Sequence, residues 1–173
     1  PGRTSEAPEA VVLGAGGASR ASVVALLERG ISRVRLLNRA PGKARDLVAA
    51  LDAVSPGIAS AHTLDEFAAL APGAGLVVNT TSIGMNGTRF DSLDLGCLPR
   101  DALVTDIVYV PLETPLLAEA RALGLRTVDG LGMLLHQAVP GFEAWFGARP
   151  QVTDALRALV VRSLGGCACF ALA

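Results

Sequence analysis

The run from Ala10 to Ala21, Ala-Val-Val-Leu-Gly-Ala-Gly-Gly-Ala-Ser-Arg-Ala, constrains this chain more than any other stretch. An apolar strand breaks into a glycine turn, and a helical pattern starts immediately after it. Such an opening points helix N–H groups, and the positive end of the helix dipole, at any anion that reaches the turn. Gly14 suits the tight bend after the strand, and Gly16 lacks the Cβ that would hold a pyrophosphate away from the backbone. The second strand then ends in Asn38-Arg39. A site that prefers NAD carries an acidic residue about 20 positions beyond the glycine turn, to hold the ribose 2′-hydroxyl. A carboxylate repels a 2′-phosphate whereas a guanidinium forks onto it, so Asn38-Arg39 points to NADP. Ser19 replaces the third glycine of the strict pattern, and the motif therefore draws its force from its context of strand, turn, helix and second strand.

The rest of the chain continues that alternation. Strands are expected at about 10–14, 33–38, 57–61, 75–79, 102–107 and 125–128, each a short apolar run bounded by Gly, Pro or polar residues. Helical patterns lie between them at about 17–29, 42–53, 64–70 and 114–123, the last entered through Thr114-Pro115. Alternating strands and helices call for parallel pairing with right-handed crossovers. Two further helices, at about 131–147 and 152–164, follow without another strand, and Pro140 is expected to kink or break the first. The expected organisation is a polar linker or cut end at 1–9, one nucleotide-binding domain at 10–164, and an apolar tail of unassigned role at 165–173.

Composition narrows the partner. Hydrophobic residues make up 51% and charged residues 18%, which suits a parallel sheet covered on both faces. A net charge of −1 leaves no basic surface for nucleic acid and no polybasic stretch for an anionic membrane, so the expected partner is a small molecule. No apolar run of about 18 or more residues and no signal pattern is seen, and the expected location is cytoplasmic. Cys97, Cys167 and Cys169 are too few and too unevenly spaced for a disulfide framework or a four-ligand zinc site, so no metal site is expected. Of the fifteen basic residues, Lys43 alone is a lysine.

Four polar segments leave the carboxyl ends of expected strands: Asn38 to Lys43, Asn79 to Met85, Asp106 to Tyr109, and Asp129 to Gln137. Ligands of open α/β sheets bind along that edge. Read in order, GAGGASR at Gly14 to Arg20, NR at Asn38-Arg39, NTTS at Asn79 to Ser82 and DGLGM with a later Gln137 resemble the C-terminal NADP-binding domain of the shikimate dehydrogenase family. The resemblance runs from about Ala10 to Val161. It implies a Rossmann-like, doubly wound, six-stranded parallel sheet with two extra C-terminal helices, and reversible reduction of 3-dehydroshikimate to shikimate, a step of aromatic amino-acid biosynthesis. Alternatives left open are a quinate/shikimate dehydrogenase and a non-catalytic dinucleotide-binding module or truncated fragment.

Carried onto this sequence, the resemblance implies that Gly14, Ala15, Gly16, Gly17 and Ala18 hold the pyrophosphate, and Asn38, Arg39 and Lys43 the 2′-phosphate. Thr80, Thr81 and Ser82 would line the cofactor, Ile107 and Gly130 would flank the nicotinamide, and Tyr109 and Gln137 would reach the substrate. The family's acid–base Lys and Asp belong to an N-terminal substrate domain, so no catalytic residue is expected in this chain. His62 reads as a surface loop residue after the third strand, with Thr63 as a helix N-cap; His136 reads as exposed or as a satisfied core group. Met85, Met133, Phe142 and Trp145 read as core or interdomain packing, and Asp106 and Asp129 as residues that pin loops.

Overall fold

A computed structural model describes residues 9–165. By contact clustering the chain divides into two compact units, one ending at Asp129 and one beginning at Gly130.

The first unit is a six-stranded, all-parallel sheet. Its strands in spatial order are β3 (Ala59–His62), β2 (Arg33–Leu37), β1 (Glu9–Leu13), β4 (Ala74–Asn79), β6 (Leu103–Asp106) and β7 (Arg126–Val128). The register sets Val12 opposite Leu36 on one side and Val78 on the other. Because side chains alternate along a strand, each strand feeds two cores. Val11, Leu13, Leu37, Val77 and Val104 pack with Phe67 of α3 (Phe67–Leu70) and with Leu116, Leu117 and Ala120 of α4 (Pro115–Ala122). Val12, Val34, Leu36 and Val78 pack instead with Val23 of α1 (Gly17–Glu28) and with Ala44, Leu47 and Leu51 of α2 (Pro41–Asp52). Helices thus cover both faces, which is the expected doubly wound architecture. Sheet order reverses between β1 and β4, the place where such folds open a crevice.

Local sequence chemistry accounts for several boundaries. Thr114 caps α4 by accepting from Leu117 N, and Pro115 occupies the first helical position, where a missing N–H costs nothing. Thr63 and Glu66 form a capping box at the one-turn helix Leu64–Glu66. The backbone N–H of Thr63 is the chief cause, ahead of His62 and the Thr63 hydroxyl, that holds the Glu66 carboxyl down at about 2.

Two local expectations need correction. Glu9, placed in the linker, begins β1: its Oε1 accepts from Arg33 Nη1 at 2.7 Å, while Arg35 Nη2 lies 2.6 Å from Oε2, paired by charge but off the hydrogen-bonding direction. Residues 1–8 lie outside the described region. His62 is not a loop residue but the last residue of β3, with Nε2 2.8 Å from Ser60 Oγ and Nδ1 2.9 Å from Glu66 Oε2. Strand pairing with β2 carries the chain one position further than its turn residues suggested. Sequence reading also missed β5 (Ile83–Asn86), a short extended segment outside the six-stranded sheet.

The second unit consists of α5 (Leu131–Phe146) and α6 (Asp154–Gly165). Pro140 does not break α5. A proline removes one internal bond, and the turns on either side keep theirs until Gly147, at φ +67, ends the helix and donates to Glu143 O. Of the four large side chains read as core or interdomain packing, none lies in the core: Trp145 is 81% exposed, and Met85, Met133 and Phe142 are also exposed. The apolar tail at 166–173 lies outside the described residues. No helix among the described residues is long and apolar enough to cross a membrane, and no cluster of potential metal ligands occurs among them.

Candidate functional site

The carboxyl ends of β1, β2 and β4 converge on two adjoining clefts. One, of about 320 Å³, is lined by Gly14 to Gly16, Asn38 to Ala40, Lys43 and Thr80 to Ser82. The other, of about 490 Å³, is lined by Ala15 to Gly17, Arg20, Lys43, Asp46 and Leu47. Ala15, Gly16 and Lys43 border both. The structure therefore brings together most of the residues assigned to a dinucleotide from sequence. Ala18, Ile107, Tyr109, Gly130 and Gln137 line neither cleft.

The glycines of the turn differ in what they are needed for. Gly14 has φ +110, and a Cβ there would lie 2.7 Å from Thr80 Oγ1 and 3.0 Å from Thr81 Cγ2. Its constraint is internal to the fold: Gly14 N donates to Leu37 O at 2.8 Å and ties the turn to β2. A Cβ on Gly16 or Gly17 meets nothing within 4 Å. The protein itself does not need glycine at those two positions, but a ligand lying against the backbone does.

Ser19, passed over in the sequence as a lost glycine, is fully buried and joins the two halves of the site. Its Oγ accepts from Gly16 N at 3.1 Å and lies 2.6 Å from Thr80 Oγ1. Thr80 Oγ1 in turn donates to Leu13 O at 2.6 Å, so the shared hydrogen between the two hydroxyls comes from Ser19. One donor chain thus runs from the glycine turn through Ser19 and Thr80 to the end of β1. Gly16 N–H is consequently turned inward, onto Ser19. The N–H groups of Gly17 and Ala18, in the first turn of α1, have no intrahelical acceptor and remain suited to a phosphate.

The NTTS segment is largely spent on the fold. Asn79 is buried, donates to Ile83 O and Asp106 Oδ1, and accepts from Thr81 N and Thr81 Oγ1. Thr80 and Thr81 border the cleft with hydroxyls already committed, and only Ser82 is exposed. Asp106, 1% exposed, accepts from Val108 N, Asn79 Nδ2 and Thr114 Oγ1 at 2.7–2.9 Å. Burial pushes its carboxyl above the usual carboxylate range, against the pull of those three donors. Asp106 therefore pins the loop after β6, which carries half-buried Ile107 and Tyr109.

Cations border the clefts without counterions. Arg20, Arg39 and Lys43 are all exposed, and none has a carboxylate partner among the described residues. Arg20, Asp46 and Leu47 are additions the sequence did not single out, although GAGGASR already contained Arg20. In the second unit, Gly130 is the buried N-cap of α5, whereas His136 and Gln137 are exposed.

The profile of the Shikimate 5′-dehydrogenase C-terminal domain matches residues 130–160. Among curated proteins, the chain is 62% identical over 157 residues to a shikimate dehydrogenase (NADP(+)) of Rhodopseudomonas palustris (strain BisB5), covering 91% of this chain and 54% of that protein. Among solved structures it is similar to quinate dehydrogenase from Corynebacterium glutamicum in complex with NAD, with a TM-score of 0.80 and 32% identity, covering 91% of this chain and 56% of that one. It is also similar to shikimate 5-dehydrogenase from Thermus thermophilus in complex with NADP(H) and shikimate, with a TM-score of 0.71 and 34% identity, covering 90% and 54%. The chain spans about half the length of the curated relatives it matches. Glycine turn, strand order and sequence identity agree: this chain belongs to the shikimate dehydrogenase family and corresponds to the C-terminal part of its members.

Proposed function

We propose that this chain binds NADP(H) in the clefts at the ends of β1, β2 and β4 and supplies the cofactor-binding part of a shikimate dehydrogenase. The observation that carries this reading is the pairing of open space over Gly16 and Gly17 with Arg39 and Lys43, exposed cations that border the same pair of clefts and have no carboxylate partner among the described residues. The residues present fit the cofactor: two glycines that only a close ligand requires, free helix N–H groups, and cations without counterions.

The bound cofactor would supply hydride-transfer chemistry. Gly17 and Ala18 would hold the pyrophosphate through backbone N–H groups, with Gly14 to Gly16 shaping the turn. Arg39 would hold the 2′-phosphate and Lys43 would add a point charge, while Asn38 braces the loop by donating from Nδ2 to Ala40 O. Ser82, which follows β4 and borders the cleft with Thr80 and Thr81, would line the cofactor. Within the first unit, Ile107 would flank the nicotinamide and Tyr109 would reach the substrate. No acid–base residue is assigned within these residues, because the one lysine is placed at the phosphate. The reading includes a cytoplasmic setting, in keeping with the free thiol of Cys97.

Fluorescence titration of the 173-residue chain with NADPH and NADH tests this. Saturable binding that favours NADPH is expected, without oxidation of shikimate. Binding of neither cofactor overturns the reading; a preference for NADH moves it to an NAD-linked quinate/shikimate dehydrogenase. Shikimate turnover by these residues alone overturns the division of labour.

A further inference from the structure

We infer that Arg20 and Asp46 set the preference for a 2′-phosphorylated dinucleotide from opposite directions, Arg20 strengthening it and Asp46 weakening it. The inference rests on the NADP(H) reading and extends it to Arg20 and Asp46 of the second cleft, to which that reading assigns no role.

The two clefts meet at Lys43. A dianion held by the Lys43 ammonium therefore stands at the mouth of both, within the field of whatever else lines the second. Arg20 sits one helical turn beyond Gly16, its N–H bonded to Gly16 O, so its long side chain leaves α1 on the side of the glycine turn. Asp46 follows Lys43 by one turn of α2, and Leu47, only 5% exposed, gives the cleft an apolar floor between the two helices. An apolar floor strengthens the interaction of charges across it. Neither Arg20 nor Lys43 is paired with Asp46 or any other carboxylate among the described residues. Arg20 is thus a guanidinium available to an incoming anion, and Asp46 is the one carboxylate among the described residues that line either cleft. A 2′-phosphate gains from the first and is repelled by the second, while the 2′-hydroxyl of NADH carries no charge for either to act on.

The test is titration of the full chain and its variants with NADPH and NADH at two salt concentrations. Arg20→Gln is expected to weaken NADPH about five- to twentyfold, as for loss of an exposed charge-assisted contact, and to change NADH less than about threefold. Arg20→Lys should recover part of the loss. Asp46→Asn should tighten NADPH about two- to fivefold at low salt, with the gain shrinking as salt is raised. Unchanged NADPH affinity in Arg20→Gln, with a loss in Arg39→Ala, overturns this inference and leaves the proposed function standing. Equal losses for both cofactors place Arg20 at the pyrophosphate and overturn it as well. Failure of the unmodified chain to bind NADPH removes both. Circular dichroism melting of each variant checks that these exposed positions leave the fold intact.

Discussion

Around the ends of β1 and β2, the cations Arg20, Arg39 and Lys43 stand at open clefts with no carboxylate partner among the described residues. Along the same edge of the sheet, under the ends of β4 and β6, Asn79, Asp106 and Thr114 satisfy one another in the interior, with Asp106 accepting at 2.9 Å and 2.7 Å. Both regions are rich in polar residues at strand ends, and sequence alone gives them equal weight. What separates them is where the partners are. Buried polar groups that find partners within the protein hold the loops in place, and charges left without one mark where a ligand has to supply it. Ser19 and Thr80 sit on the boundary, bordering the open region while bonded like the closed one.

The comparison breaks first at Asp106. Replacing it with Ala removes the acceptor for Val108 N and Thr114 Oγ1, and a loss of about 2–4 kcal/mol in urea unfolding is expected. If the loss is under about 1 kcal/mol, the closed region is not the brace described here. Gly14 and Gly16 divide next. Gly14→Ala forces a side chain into φ +110 and against Thr80 Oγ1, and should cost about 2–3 kcal/mol of stability. Gly16→Val enters open space in an extended backbone, so the protein should fold, with melting close to that of the unmodified chain, yet bind neither NADPH nor NADH. Full affinity in folded Gly16→Val would place the dinucleotide elsewhere.

Arg39→Ala should weaken NADPH about tenfold to a hundredfold, equivalent to one lost charge-assisted contact, and leave both NADH affinity and melting nearly unchanged. Equal losses for the two cofactors sink the 2′-phosphate assignment. The smallest effects are pH-dependent and run in opposite directions. Asp106 has a folded pKa above its unfolded value, so its contribution is full below about 3.8 and is lost as pH rises through the raised folded value. Stability of the unmodified chain relative to Asp106→Asn should therefore fall across that range. Glu66 is depressed to about 2, so its contribution is present above about 4.5 and is lost as pH falls toward 2. The melting difference between the unmodified chain and Glu66→Gln should shrink on acidification, and growth of that difference would contradict the capping role.

Most of the residues that line the two clefts were legible because their signals are local. The bend at Gly14, the open backbone at Gly16 and the charges at Arg39 and Lys43 all follow from residue type and position along one βαβ unit. Roles at Ser19, Thr80 and Thr81 were not legible, because a hydroxyl reads the same whether it faces a ligand or a buried carbonyl. Arg20 was visible within the glycine motif but had no reason to be chosen until α2 brought Lys43 and Asp46 beside the same cleft.

Sequence by itself determined the alternation of strands and helices, the caps at Thr63 and Thr114, the glycine turn and the positive charge at Arg39 and Lys43. These are properties of dihedral preference, side-chain period and formal charge within a few residues of one another. Tertiary structure alone decided that β1 lies between β2 and β4, that Ser19 reaches Thr80 across 61 positions, and that Asn79 reaches Asp106 across 27. Hydrogen-bond partners so far apart along the chain are assigned only when strand order places them side by side, and that assignment separates the polar groups that build this site from those left to bind.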